Sequence, residues 1–202
     1  MLTKGIAPMM AALAVVRGLV APSRAFSGAR SVAVKAEADF SRMDLRVGTI
    51  KDAWDHPDSE KLIVEEISLG EEDEVVQIVS GLRAFYAAAD LVGKRCVVVA
   101  NLPKAKLGGV ESSGMVLCGS ADDKARVEIL EPPAGAEDGE RAVVDGIEGD
   151  AATPNQVKKK KLWAPVAEKL ALVGGVATFD GDAIATSAGP CACATIADGP
   201  IS

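Results

Sequence analysis

Aromatic side chains make up only 3% of the 202 residues. A core and any binding surface must therefore be assembled from Val, Ile, Leu and Ala, and each exposed ring becomes informative. Histidine occurs once, as His56, and the four cysteines are Cys96, Cys118, Cys191 and Cys193. One residue separates Cys191 from Cys193, too little for an easy bridge, and no second cysteine pair or histidine cluster completes a zinc pattern. The thiols read as structural, and no metal or cofactor is expected. No uncharged run reaches the roughly 18 residues that a membrane-crossing helix needs, so no membrane partner is expected. A phosphate-cradling P-loop and a dinucleotide glycine fingerprint are both missing. His56 has no nucleophile or second base to work with, so the chain reads as non-catalytic. Its loop, His56-Pro57-Asp58, reads as structural, with Pro57 fixing the turn and Asp58 or Ser59 capping it.

Acids are absent from one end of the chain. Residues 1–36 hold Lys4, Arg17, Arg24, Arg30 and Lys35 without a single Asp or Glu, a charge of +5 inside a total of −7. The remainder carries 17 basic and 29 acidic residues, a balance of −12. An acid-free, Ala- and Arg-rich segment with Ser23, Ser27 and Ser31 has the composition of an organellar transit peptide. Residues 9–16 suit a basic amphipathic helix, and Arg24-Ala25-Phe26-Ser27 resembles a mitochondrial processing site. The rival is a secretory signal with its apolar core at 6–16, interrupted by Pro8 and followed by Arg17. The expected destination is an organelle, mitochondrion before plastid, with the cytosol left open.

From Leu45 onward, short β-type runs alternate with turn residues, at 45–53, 62–69, 75–80, 96–100, 115–118 and 127–130. The second and third runs are joined across Gly70 and the acidic stretch 71–74, which predicts a hairpin with a solvated tip. The Ala-rich stretch 82–91 has helical propensity and is expected to plug one end of a barrel. Five or six strands with one helix after the third describe an all-β oligonucleotide-binding (OB) barrel over 37–138. Residues 139–202 hold few large apolar side chains and are expected to pack on the barrel as a β-rich extension. Within it, Thr178-Phe179-Asp180-Gly181-Asp182-Ala183 predicts a hairpin turning at Asp180-Gly181.

Several ordered motifs carry a resemblance: Asp44-Leu45-Arg46-Val47-Gly48, His56-Pro57-Asp58-Ser59-Glu60-Lys61-Leu62, Val79-Ser80-Gly81-Leu82, Asn101-Leu102-Pro103-Lys104, Val110-Glu111-Ser112-Ser113-Gly114-Met115 and Glu131-Pro132-Pro133. From about residue 40 to the end, the chain resembles the tRNA-binding domain of endothelial monocyte-activating polypeptide II, of the yeast synthetase cofactor, and of C-terminal appendices on some tyrosyl- and methionyl-tRNA synthetases. The resemblance implies binding of tRNA by shape at its outer corner, with an aminoacyl-tRNA synthetase as the partner it assists. In the bacterial forms the OB unit dimerises. The extension of the longer forms resembles a second subunit, which implies a monomeric, pseudo-dimeric body here. Relatives commonly read Asn-Leu-Lys-Pro-x-Lys-x-Arg-Gly where this chain has Asn101-Leu102-Pro103-Lys104-Ala105-Lys106-Leu107-Gly108-Gly109. A cation is thus missing before the glycine turn, and Lys106 is the available substitute.

Phosphate binding needs cations, and the candidates are Lys94, Arg95, Lys104 and Lys106 together with the run Lys158, Lys159, Lys160 and Lys161. A localisation signal or basic tail accounts for the same run, and solvated loop charges account for the others. Trp163 beside the run can stack on a base or pack onto the body. Ser112 and Met115 fall on the family's Ser-x-x-Met element, where a hydroxyl and a thioether meet RNA; as an alternative, Met115 enters the core. Asn101 can bond RNA or hold its own loop, and Arg46 is a candidate contact on the first strand. Because the acids at 65–66, 71–74 and 122–123 are separate in sequence from these cations, one cationic face is expected. The competing functional reading is a protein-docking module in which nucleic acid is incidental.

Overall fold

The computed structural model describes residues 40–70 and 75–202. The transit segment expected at 1–36 and the acidic hairpin tip at 71–74 lie outside the described residues. The first five barrel elements are β1 (Leu45–Asp55), β2 (Ile63–Ser68), β3 (Val75–Ser80), β4 (Arg95–Val99) and, after a short hairpin of β5 (Ala105–Leu107) and β6 (Val110–Ser112), β7 (Met115–Val116). They form an antiparallel sheet in the order β3-β2-β1-β4-β7. The register between β1 and β2 shifts at Ile50/Asp52, marking a bulge at Lys51. Such a bulge bends the strand. It lets β1 pair with β4 through its first half and with β2 through its second. The sheet then curls until the Ser113 amide donates to the Gln77 carbonyl at 2.9 Å, joining β3 to the turn before β7.

Ile50, Ile63, Ile67, Ile78, Cys96, Val98, Val116 and Ile129 fill the barrel. Strand β4 is apolar from Cys96 to Val99, and its alternate residues serve two cores. Cys96 and Val98 face into the barrel, while Val97 and Val99 join Leu117 and Leu130 in a second cluster with Leu172, Ala177, Phe179, Ile184 and Ile201. An unbroken apolar strand is what burial on both faces requires.

That second face is covered by the extension. After β8 (Cys118–Ala121) and β9 (Arg126–Ile129), the chain runs through β10 (Val143–Val144), α1 (Pro154–Lys160), α2 (Trp163–Ala167), β11 (Leu170–Val173), β12 (Val176–Phe179), β13 (Asp182–Thr186), β14 (Gly189–Pro190) and β15 (Gly199–Pro200). The extension sheet has the order β10-β13-β12-β11-β15, with β14 paired to β13. The predicted hairpin is present, with Phe179 opposite Asp182 and positive φ at Asp180 (55°) and Gly181 (93°). Backbone bonds of 2.9 Å in both directions between Cys118 and Ser202 stitch the chain's last residue to the barrel. Glu128 on β9 accepts from the amides of Ala194, Thr195 and Ile196 and from the Thr195 hydroxyl. Partial burial opposes its ionisation, but these donors prevail and hold the carboxyl below its ordinary range.

Gly119 marks a close approach of barrel and extension, since a Cβ built there would lie 2.3 Å from Leu172 Cδ1 and 2.9 Å from Cys193 Sγ. We expect Gly119→Val to prise the two apart and cost about 2–3 kcal/mol, the usual penalty for overpacking. Urea denaturation monitored by the fluorescence of Trp54 and Trp163 reads this directly, and a midpoint equal to that of the parent contradicts it.

The segment 82–91 departs from the expected helix. It contains one turn, with the amides of Phe85 and Tyr86 donating to Leu82, and a 3-10 helix at Ala88–Asp90. A straight helix would turn Leu82 and Leu91 about 180° apart. Both are buried in the barrel cluster, so the chain must break between them. The Tyr86 hydroxyl also accepts from the Ile129 amide at 3.3 Å, anchoring the middle of the segment. Tertiary burial here overrides alanine's propensity.

All four cysteines are free and buried. Burial raises every thiol's pKa, to about 12 for Cys191 and about 11 for Cys193. These are core side chains, as their spacing suggested. Among the described residues no helix is long and apolar enough to cross a membrane.

Candidate nucleic-acid interface

The lysine run belongs to α1 and its C-cap. Thr153 caps the N-terminus, its hydroxyl accepting from the Gln156 amide while the Gln156 side chain accepts from the Thr153 amide, and Pro154 follows at the first helical position. Lysines at the opposite end complement the helix dipole. Val157 is the buried residue of α1. Successive residues advance by about 100°, so Lys158, Lys159 and Lys160 fan over the three remaining sides. Lys161 turns the chain with a positive φ of 51°, delivering Leu162 and Trp163 onto the shared core. Of the uses open to Trp163, packing is the one realised. All four lysines are exposed, and among the described residues none takes part in an ion pair.

Two further lysines accompany the β5–β6 hairpin, Lys104 just before β5 and Lys106 within it. Leu107 pairs with Val110 across Gly108 and Gly109, both at positive φ (58° and 93°). A Gly-Gly pair between such runs is a hairpin signal, so this element was legible. Its support was not. His56 is buried, one ring nitrogen accepting from the Asp58 amide at 3.1 Å and Nε2 lying 3.1 Å from the Leu107 carbonyl. With Nδ1 an acceptor, Nε2 carries the hydrogen and donates to Leu107. A side chain at position 108 would strike the ring, whose Cε1 lies 2.7 Å from a built Cβ. His56 thus clamps the β1–β2 loop to the hairpin.

Lys104 on this hairpin pairs with Glu111 at 2.8 Å, and Lys106 lies directly opposite Glu111 in the register. The Lys104 hydrogen bond and charge hold the Glu111 carboxyl below its ordinary range. The expectation that acids and candidate cations are segregated therefore fails at this hairpin, and Glu65, counted as a surface charge, is buried in the barrel.

Four other candidates make hydrogen bonds within the fold. Arg46 bonds the Asp44 carboxylate at 3.0 Å and the Gly139 carbonyl at 3.0 Å. Arg95 caps the 133–138 loop, donating to the carbonyls of Pro133, Ala134 and Ala136 beside Asp138. Ser112 is buried, its hydroxyl donating to Gly114 and accepting from the Val79 amide, both at 3.0 Å. Asn101 is buried too. Its Oδ1 accepts from the Asp44 amide at 3.0 Å, and its Nδ2 donates to the carbonyls of Arg42 and Ala152, each at 2.9 Å. These bonds hold Arg95, Ser112 and Asn101 to the fold, whereas the Arg46 side chain stays 41% exposed. Lys94 lies 6.0 Å from the Tyr86 ring centroid, a cation–π position on the barrel's closed end. Met115 is half-buried and lines a groove of about 490 Å3 together with Val79, Leu82, Phe85, Leu107 and Lys124.

Arg42 is a basic residue that the sequence reading missed. Its guanidinium reaches the Asp150 carbonyl at 2.6 Å and Gln156 Oε1 at 3.3 Å, in the first turn of α1. No spacing rule links residue 42 to residue 156.

A five-stranded antiparallel barrel with an extended β4–β7 connection and a capped basic helix beside it defines an OB-type nucleic-acid-binding module. The sequence model of the family described as "Putative tRNA binding domain" matches residues 45–141. The chain is 32% identical to the solved C-terminal domain of Plasmodium vivax p43, with a TM-score of 0.73 over 82% of this chain and 99% of that one. It is 35% identical, over 86% of its length, to a "Probable methionine--tRNA ligase" of Oryza sativa subsp. japonica, and 35% identical, over 82%, to the cytoplasmic tyrosine–tRNA ligase of Xenopus tropicalis. These matches span 22% and 32% of the two ligases. The chain belongs to the tRNA-binding domain family.

Proposed function

We propose that this protein binds tRNA without catalysing a reaction and serves as an auxiliary of an aminoacyl-tRNA synthetase, holding tRNA by its backbone and shape. The observation that carries the reading is the group of four exposed lysines on α1 and its C-cap, without an ion pair among the described residues and packed beside an OB barrel. Family membership and the likeness to segments of two ligases support it. The extension covers the apolar outer face of β4, which supports a monomer in which that extension replaces a second subunit. We further propose an organellar destination, which rests on the composition of residues 1–36 and is checked by fusing that segment to a fluorescent reporter.

Filter binding of the full-length chain to tRNA at 50 and 200 mM salt tests the central reading. Binding at the lower salt that weakens steeply at the higher one is expected, because displaced counterions drive phosphate contacts. No binding at 50 mM, or binding indifferent to salt, refutes it. Glu111→Gln, which releases Lys104 and leaves Lys106 unopposed, is expected to tighten binding by about threefold to tenfold in the same assay. An affinity unchanged or weakened would remove the hairpin from the interface.

A further inference from the structure

Asn101 stands where the barrel meets the basic helix. Three residues on from it lies Lys104, and one residue beyond its partner Ala152 lies Thr153, the cap of α1. From these connections, the hairpin lysines and the α1 lysines have backbones no more than on the order of 40 Å apart. The Asn101 amide is buried and makes three bonds to two backbone segments, at Arg42 and Asp44 and at Ala152. The Arg42 side chain continues this junction to Asp150 and Gln156. α1 is a seven-residue helix. Isolated helices of that length are marginal in water, so its orientation depends on such tertiary ties.

We propose that Asn101 is a positioning residue for tRNA binding, locking the hairpin lysines and the α1 lysines into one interface while touching no RNA itself. This rests on the tRNA-binding reading above. Two cation clusters at a fixed separation engage one polyanion as a single site. The same clusters on a loosened joint lose part of that advantage, because each must be ordered separately. Asn101 carries no charge, so any effect of removing it on affinity arises through position.

The test is the affinity of full-length protein for tRNA in paired backgrounds. Asn101→Ala is expected to weaken binding about tenfold in the parent, yet to have no further effect once the four α1 lysines are alanine, since nothing remains to be positioned. Arg42→Lys keeps the charge, releases Gln156 and Asp150, and is the second variant should Asn101→Ala fail to fold. The same dependence on the α1 lysines is expected of it. Equal weakening in both backgrounds overturns the proposal and assigns Asn101 a general structural role, as does an unchanged affinity for both variants in the parent. Failure of the parent itself to bind tRNA instead overturns the functional reading on which the proposal depends.

Discussion

Changing all four lysines at 158–161 to alanine is expected to lower tRNA affinity by about two orders of magnitude at moderate salt and to flatten the plot of log K against log salt by about 3. The reasoning is electrostatic. Each lysine that neutralises a phosphate releases a counterion, and each such contact contributes nearly one to the slope. These four are exposed and have no ion pair among the described residues, so none must first be freed from an acid. By contrast, Lys104 is held by Glu111, and Arg46 and Arg95 are bound to carboxylates and carbonyls. Alanine in place of Lys104 and Lys106 should therefore reduce the slope by about 1 or less. Val157, Leu162 and Trp163 pack this region onto the core, and those are untouched. The thermal midpoint is expected to stay within about 2 °C of the parent, as for surface changes generally. A slope that remains unchanged would show that the run serves some purpose other than phosphate binding.

The largest stability change is expected at Glu65. Side chains on β2 alternate, and Glu65 falls between Ile63 and Ile67 on the face that fills the barrel. It is fully buried, one carboxyl oxygen accepts from the Ser80 hydroxyl, and the other has no partner. Burial raises its pKa from 4.5 to about 7, with the Ser80 bond opposing the shift. The groups facing it include the Cys96 and Cys118 thiols, themselves raised by burial and by the carboxylate's proximity. The folded state thus holds a proton that the unfolded state has released. The stability contributed by Glu65 is full below about pH 4.5, falls as pH rises from there to about 7, and is lower by about 3 kcal/mol above that. Glu65→Gln retains the acceptor for Ser80 without the charge. At pH 8 it is expected to gain about 3 kcal/mol, or roughly 6–12 °C in melting temperature, and to abolish the slope across this window. Glu66→Gln, on the outer side of the same strand, should leave the pH profile intact. Calorimetric scans from pH 4.5 to 8.5 distinguish the two variants. A Glu65→Gln protein that loses stability with rising pH as the parent does would locate the titration elsewhere.

Periodicity and turn chemistry made most of the barrel legible before any coordinates. The strands at 75–80 and 127–130 and the turn at Asp180-Gly181 follow from local rules, because β alternation and positive-φ turns are decided by neighbouring residues. The apolar run at 96–99 signalled a strand, and it also held a further message. A run without polar alternation needs a second core, and that core is the extension. The stretch 82–91 misled because alanine propensity is a weak preference, whereas the burial of both Leu82 and Leu91 is a strong one.

Residue type by itself determined that this chain holds a small all-β barrel, and that its cations gather in a few short runs. Which of those cations face solvent was decided only by tertiary structure. Arg46 and Arg95 look as available in sequence as Lys158, yet carbonyls from more than 35 residues away bind them. Asn101 is in the same position, since the groups that satisfy it lie at 42, 44 and 152. The physical reason is that a buried polar group must find its partners wherever the fold brings them. Local pattern reports which groups can bond, and long-range packing selects which remain free.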